Sequence, residues 1–152
     1  MARVPSGKTR LYVAGWPMSP HVGRAEKIAR LIAAKDPAKY ETWFYFSFRS
    51  TLRGEKGDGK GGLYGTAKNT FSAEDQERLK DHKSVPFVWI VSGGEGGTAA
   101  AVKGLGGRDR FCEWVAAQPD LMESAVIKAL ATTEPGFGDV FPDKSPGTAQ
   151  QA

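Results

Sequence analysis

The chain reads as a three-layer α/β domain, a small mixed central sheet with helices on both faces. Three observations predict it. Short apolar runs alternate with amphipathic stretches in the order β-α-β-α-β-β-α-α, a pattern that buries a sheet between helices. The runs at 11–14, 42–48 and 85–91 are rich in Val, Ile, Tyr, Phe and Trp, the residues that fit a pleated surface. At 152 residues, 40% hydrophobic and 25% charged, the chain is long enough to bury a sizeable core as one domain.

Residues 1–9 are expected to be a flexible lead, 10–132 the folded domain and 133–152 a low-complexity tail. Arg10 to Ala14 predicts a buried strand, with Leu11 and Val13 on one face and Tyr12 on the other. Ser19-Pro20 then starts a helix: a serine oxygen accepts from an orphan N–H, and proline suits the first helical position. Val22, Ala25, Ile28, Ala29 and Ile32 recur at helical spacing, so Arg24, Lys27, Arg30 and Lys35 are expected on the solvated face. Asp36-Pro37 ends this helix. Thr42 to Phe48 predicts a strand. Arg49 to Thr70, with six glycines and five Lys or Arg, shows no hydrophobic period and predicts a long basic loop.

Ser72-Ala-Glu-Asp75 resembles a capping box opening a short polar helix through Lys83, with Leu79 inward. His82 falls at the end of that helix, where a positive charge complements the dipole. Val85 to Val91 predicts a strand whose proline sits at its entrance. The glycine-rich turn 92–97 leads into a returning strand from Thr98 to Val102. After Gly104-Leu-Gly-Gly107, Asp109 complements a helix start, and Phe111, Trp114 and Val115 give that helix an apolar face. Beyond Pro119 a last helix is expected from Asp120 to Thr132, with Met122, Ala125, Val126, Ala129 and Leu130 inward.

Composition limits the functional classes. A net charge of +4 is too small to mark a nucleic-acid binder, although the basic loop 49–70 keeps RNA contact open. No apolar run approaches the ~18 residues of a membrane span. The N-terminal stretch has charge without an apolar region behind it, so an intracellular, cytoplasmic location is the default expectation. Cys112 is the only cysteine, which excludes an intramolecular disulfide and any CxxC pair. Two histidines and one cysteine without ligand spacing predict no metal site. Segment 54–65 lacks the Gly-Lys-Ser/Thr ending of a phosphate-binding P-loop.

Three landmarks resemble the glutaredoxin branch of the thioredoxin-like superfamily. Ser19-Pro20-His21-Val22, followed by Gly23-Arg24, stands where that family carries Cys-Pro-Tyr-Cys and a basic residue. Ser84-Val85-Pro86 resembles its Thr-Val-Pro, whose proline is typically cis. Gly106-Gly107-Arg108-Asp109 resembles its Gly-Gly-x-Asp element. The likeness spans about residues 10–131. The segments 49–70 and 92–98 and the tail depart from it, and Trp16 stands where many members carry a lysine.

The resemblance implies a glutathione groove framed by Ser19, His21, Val85, Pro86, Gly107, Arg108 and Asp109. It also implies a lost chemistry. Thiol–disulfide exchange needs a low-pKa thiolate at the first motif position, and neither Ser19 nor Val22 supplies a thiol. The leading expectation is therefore a redox-inactive glutaredoxin-like domain, without cofactor, serving as a structural or interaction subunit through loop 49–70 and tail 134–152. The alternative is a glutathione-binding enzyme. Glutathione transferases share this N-terminal fold, and some place Ser-Pro at the same helix start, so Ser19 is the one catalytic candidate. As a residue, Ser19 is more simply an ordinary N-cap. Cys112, between Phe111 and Glu113, reads as a buried small hydrophobe.

Overall fold

The computed structural model describes residues 3–97, 99–140 and 149–151. Four strands form its sheet: β1 (Thr9–Gly15), β2 (Tyr40–Phe46), β3 (Phe87–Gly93) and β4 (Ala99–Gly106). They lie in the order β4-β3-β1-β2, and the three-residue β5 (Ala149–Gln151) pairs with the outer edge of β2. β1 is parallel to β2, with Leu11 opposite Thr42 and Gly15 opposite Phe46. β3 is antiparallel to both β1 and β4. The sheet is thus small and mixed, as the element order predicts.

The alternation along β1 divides the interior in two. Leu11 and Val13 face a core built with Ala25, Ile28, Ala29 and Ile32 of helix α1 (Pro20–Lys35), together with Phe44, Val88 and Phe111. That layer is completed by α5 (Arg108–Ala116), α6 (Pro119–Met122) and α7 (Ala125–Thr132), which bring in Val115, Leu121 and Ile127. Tyr12 and Ala14 face the opposite core with Phe71, Leu79, Phe87 and Trp89. Both faces of β1 are covered, and its residues from Leu11 to Ala14 are all buried.

The second core corrects the expectation of a long loop at 49–70. This segment contains α2 (Arg49–Arg53) and α3 (Gly62–Lys68), which, with α4 (Ala73–Leu79), form the second helical layer. Leu52, Tyr64 and Ala67 are buried under the sheet. Helices of five and seven residues are unstable alone, but burying one large apolar side chain stabilises by roughly 1.5–3 kcal/mol. Too few residues occur per helix for a period to be visible. Gly62 makes the entry turn to α3 at φ +62°, where L side chains are strained.

Three further expectations need correction. Arg24 is buried rather than solvated, and Arg30 lies over the Phe44 ring while pairing with Glu26. The helix expected from 120 to 132 is divided: Ser124 ends one turn and caps α7 by accepting from the Ile127 N–H at 3.3 Å. In α7 Ile127 is buried, whereas Ala125, Val126 (59% exposed) and Ala129 face out, contrary to expectation; Met122 and Leu130 do pack against the core as expected. The polar helix after Ser72 stops at Leu79, short of Lys83. Ser72 does accept from the Asp75 N–H, but the Asp75 carboxylate turns away to the Gly104 N–H and to Arg78. Of the expected returning strand, Thr98 lies outside the described residues, as do 141–148 of the tail.

Candidate functional site

Two strand ends and two helix starts meet at one end of the sheet. β1 leads through Trp16–Met18 into α1, where the Ser19 Oγ accepts from the Val22 N–H at 3.4 Å. Ser19 is thus a working N-cap, while Val22 is fully buried. β3 enters the sheet from the same end, after a cis Val85–Pro86 peptide bond. β4 leaves it through Gly106-Gly107, and Gly107 is the N-cap of α5. Among the described residues, the backbone of Val85 enters no hydrogen bond. Its N–H and C=O have no intramolecular partner among these residues, and Val85 is half-buried.

Between these elements lies a groove of about 410 Å³ lined by His21, His82, Ser84, Val85, Gly107, Arg108, Asp109 and Arg110. Five of the expected site residues line it: His21, Val85, Gly107, Arg108 and Asp109. Ser19 and Pro86 are not on the wall. Ser19 spends its oxygen on the helix cap, and Pro86 is buried.

Arg108 orders the groove. Its side chain is only 10% exposed, and its Nε donates to His21 Nδ1 at 3.1 Å. That contact makes His21 Nδ1 an acceptor. The Arg108 Nη2 reaches Asp109 Oδ1 at 2.8 Å and Glu134 Oε2 at 3.0 Å. Arg110, on the same rim, pairs with Glu113 at 3.1 Å.

His82, Ser84 and Arg110 line the groove without having been expected there, and His82 is the most displaced from its expected role. Its expected place was the end of a polar helix. Instead, α4 ends earlier, and the His82 ring stacks on Phe87 with centroids 4.8 Å apart. Its Nε2 donates to the Ser84 carbonyl at 3.1 Å. Burial, and then the nearby Lys68 ammonium, push its pKa below the usual 6.5, so it is neutral at pH 7. The only signal in the sequence is proximity to Ser84-Val85-Pro86. Lys68 holds this region from behind: its Nζ donates to the carbonyls of Gly59 and His82, each at 2.8 Å, and to that of Lys80 at 3.4 Å.

The chain after α7 closes the other side. Arg24 donates to the carbonyls of Leu130, Thr133 and Glu134 at 2.9–3.0 Å and pairs with Asp139 at 3.1 Å. Lys27 reaches the same carboxylate at 2.9 Å. Burial raises the Asp139 pKa, but Arg24, the Gly136 N–H and Lys27 outweigh it and hold the group at about 2. Residues 133–140 therefore form a strap across α1. A Cβ on Gly23 would collide with the Asp139 carbonyl, so glycine is required where the strap crosses.

Cys112 is 8% exposed, and burial raises its pKa, the opposite of an activated thiol. Among the described residues no group of three His, Cys, Asp or Glu is placed to hold a metal ion, and no helix is long and apolar enough to cross a membrane. A separate hollow of about 620 Å³ in the glycine-rich segment is lined by Lys56 and Lys60 but also by Glu55 and Asp58, so its charge is mixed. Comparison with protein-family models, curated proteins and solved structures finds no match to this chain.

Proposed function

We propose that the chain is a redox-inactive thioredoxin-like domain of the glutaredoxin type, which binds an extended peptide as an interaction subunit of a larger assembly. One observation carries this reading. The unpaired Val85 backbone lies on the wall of a groove whose other side is the α5 start, whereas the thiol positions are a capping serine and a buried valine. A peptide pairing with Val85 would gain main-chain hydrogen bonds of the strand-addition kind. The mixed charge of the glycine-rich hollow favours a protein partner over RNA. The test is a cross-linked pull-down from native extract with the full chain and with Arg108→Glu. Specific partners retained by the wild type and lost by the variant support it; partners retained equally by both overturn it.

Glutathione binding is the second reading, favoured by one observation: His21, Val85, Gly107, Arg108 and Asp109 converge on a volume suited to a tripeptide. Calorimetric titration separates it from pure scaffolding. A bound ligand must also stabilise the fold by mass action. Neither heat nor thermal shift at millimolar glutathione would sink this reading.

A further inference from the structure

We infer that Arg108 is a carboxylate subsite of the groove and that Glu134 of the strap is its resident occupant. A carboxylate-bearing peptide then binds by displacing Glu134. The inference rests on the glutathione reading of the groove above and names both the recognised group and its control.

The geometry is that of a carboxylate receptor already holding a carboxylate. The Arg108 guanidinium is 10% exposed, is oriented through Nε by His21, and donates from Nη2 to Glu134 Oε2 at 3.0 Å. An arginine held this way recognises planar carboxylates with little further ordering. Asp109 shares the same Nη2 at 2.8 Å, but it is the next residue in the chain and stays with Arg108 whatever the strap does. Glu134 lies 26 residues away, so its contact couples groove and strap.

The Glu134 side chain is free to leave without the strap undocking. Its own carbonyl is held by Arg24 Nη2 at 3.0 Å, and the flanking strap is held through Thr133 and Asp139. Its side chain, by contrast, is 83% exposed. Glu134 already lines a second groove of about 290 Å³, beside Cys112, Glu113 and Thr133, that shares Arg108 and Asp109 with the first, so its side chain sits at the border of the two. Displacement therefore costs one exposed ion pair. Such pairs are weak, so the effect is a modest competition and not a lock.

The test titrates the full-length wild type and Glu134→Gln calorimetrically with glutathione and with glutathione diethyl ester. Glutathione is expected to bind Glu134→Gln roughly threefold tighter, the scale of one exposed ion pair. The diester, which has no carboxylate, should bind both proteins equally. Arg108→Gln in the Glu134→Gln background should erase the gain. Glutathione bound by the wild type and no tighter by Glu134→Gln overturns the competition and leaves the peptide groove standing, as does a gain shared by the diester or surviving loss of Arg108. No glutathione heat with either protein removes the groove's glutathione reading and this inference together.

Discussion

Two side chains shape one side of the groove: His82 lines it, and Lys68 holds the His82 carbonyl from behind. Lys68 is buried, and its ammonium satisfies the carbonyls of Gly59 and His82. Lys68→Met keeps the apolar stem but strands those acceptors. The expected loss is about 2–3 kcal/mol, the usual penalty for buried unpaired polar groups, read as a lowered urea midpoint. An unchanged midpoint would mean that water replaces the ammonium without cost. His82 adds a pH dependence. Its folded pKa lies below the unfolded 6.5, so well above pH 6.5 both states are neutral and its full contribution is present. As the pH falls below 6.5 the unfolded state binds the proton first, and stability declines. The midpoint difference between wild type and His82→Gln should therefore shrink from about pH 7.5 to about pH 5; a constant difference contradicts the assignment.

The strap is the element with the clearest design. Asp139 is held at about 2 against an unfolded 3.8, so its contribution is present above roughly pH 4 and is lost as pH falls towards 2. Hydrogen exchange of 134–139 should rise over that window, and Asp139→Asn should abolish the step. Gly23→Ala tests the same docking by steric means. The new methyl meets the Asp139 backbone, whereas a methyl on Gly138 meets nothing within 4 Å. We expect Gly23→Ala to lose about 1–3 kcal/mol and to expose the strap to proteolysis, with Gly138→Ala close to wild type. Equal behaviour of the two variants would show that the strap does not rest on α1 in solution.

For the whole molecule, the proposed reading makes a claim about thiol chemistry. The wild type should show no glutathione-dependent disulfide reduction above buffer, because the groove contains no sulfur nucleophile and Cys112 is buried. Ser19→Cys introduces a thiol at the N-terminus of α1, a position that lowers thiol pKa. The introduced thiol is expected to titrate below the usual value of about 8.5 and to react faster with a disulfide probe than Cys112 does. Titration of that thiol at about 8.5 or above would count against reading this turn as a former thiol site.

Local chemistry was enough to define much of this protein. A Ser-Pro start, two β-rich runs and a proline at a strand entrance act within a few residues of themselves, so β1, α1, β2, β3 and the start of α5 were legible in order. The same holds for the absence of a thiol at Ser19 and Val22. Folding at a distance decided the rest. Leu52, Tyr64 and Ala67 are isolated apolar residues among glycines, and their helices exist because the sheet face with Tyr12 and Trp89 covers them. Arg24 has the sequence position of a solvated base, but carbonyls and a carboxylate more than 100 residues away make burial favourable. His82 joined the groove through a ring contact with Phe87 and a clamp from Lys68. Periodicity records which face of an element is apolar. It holds no information on which polar partner will arrive from elsewhere in the chain, and at the Arg108 corner of the groove it is those distant partners, His21 and Glu134, that determine the chemistry.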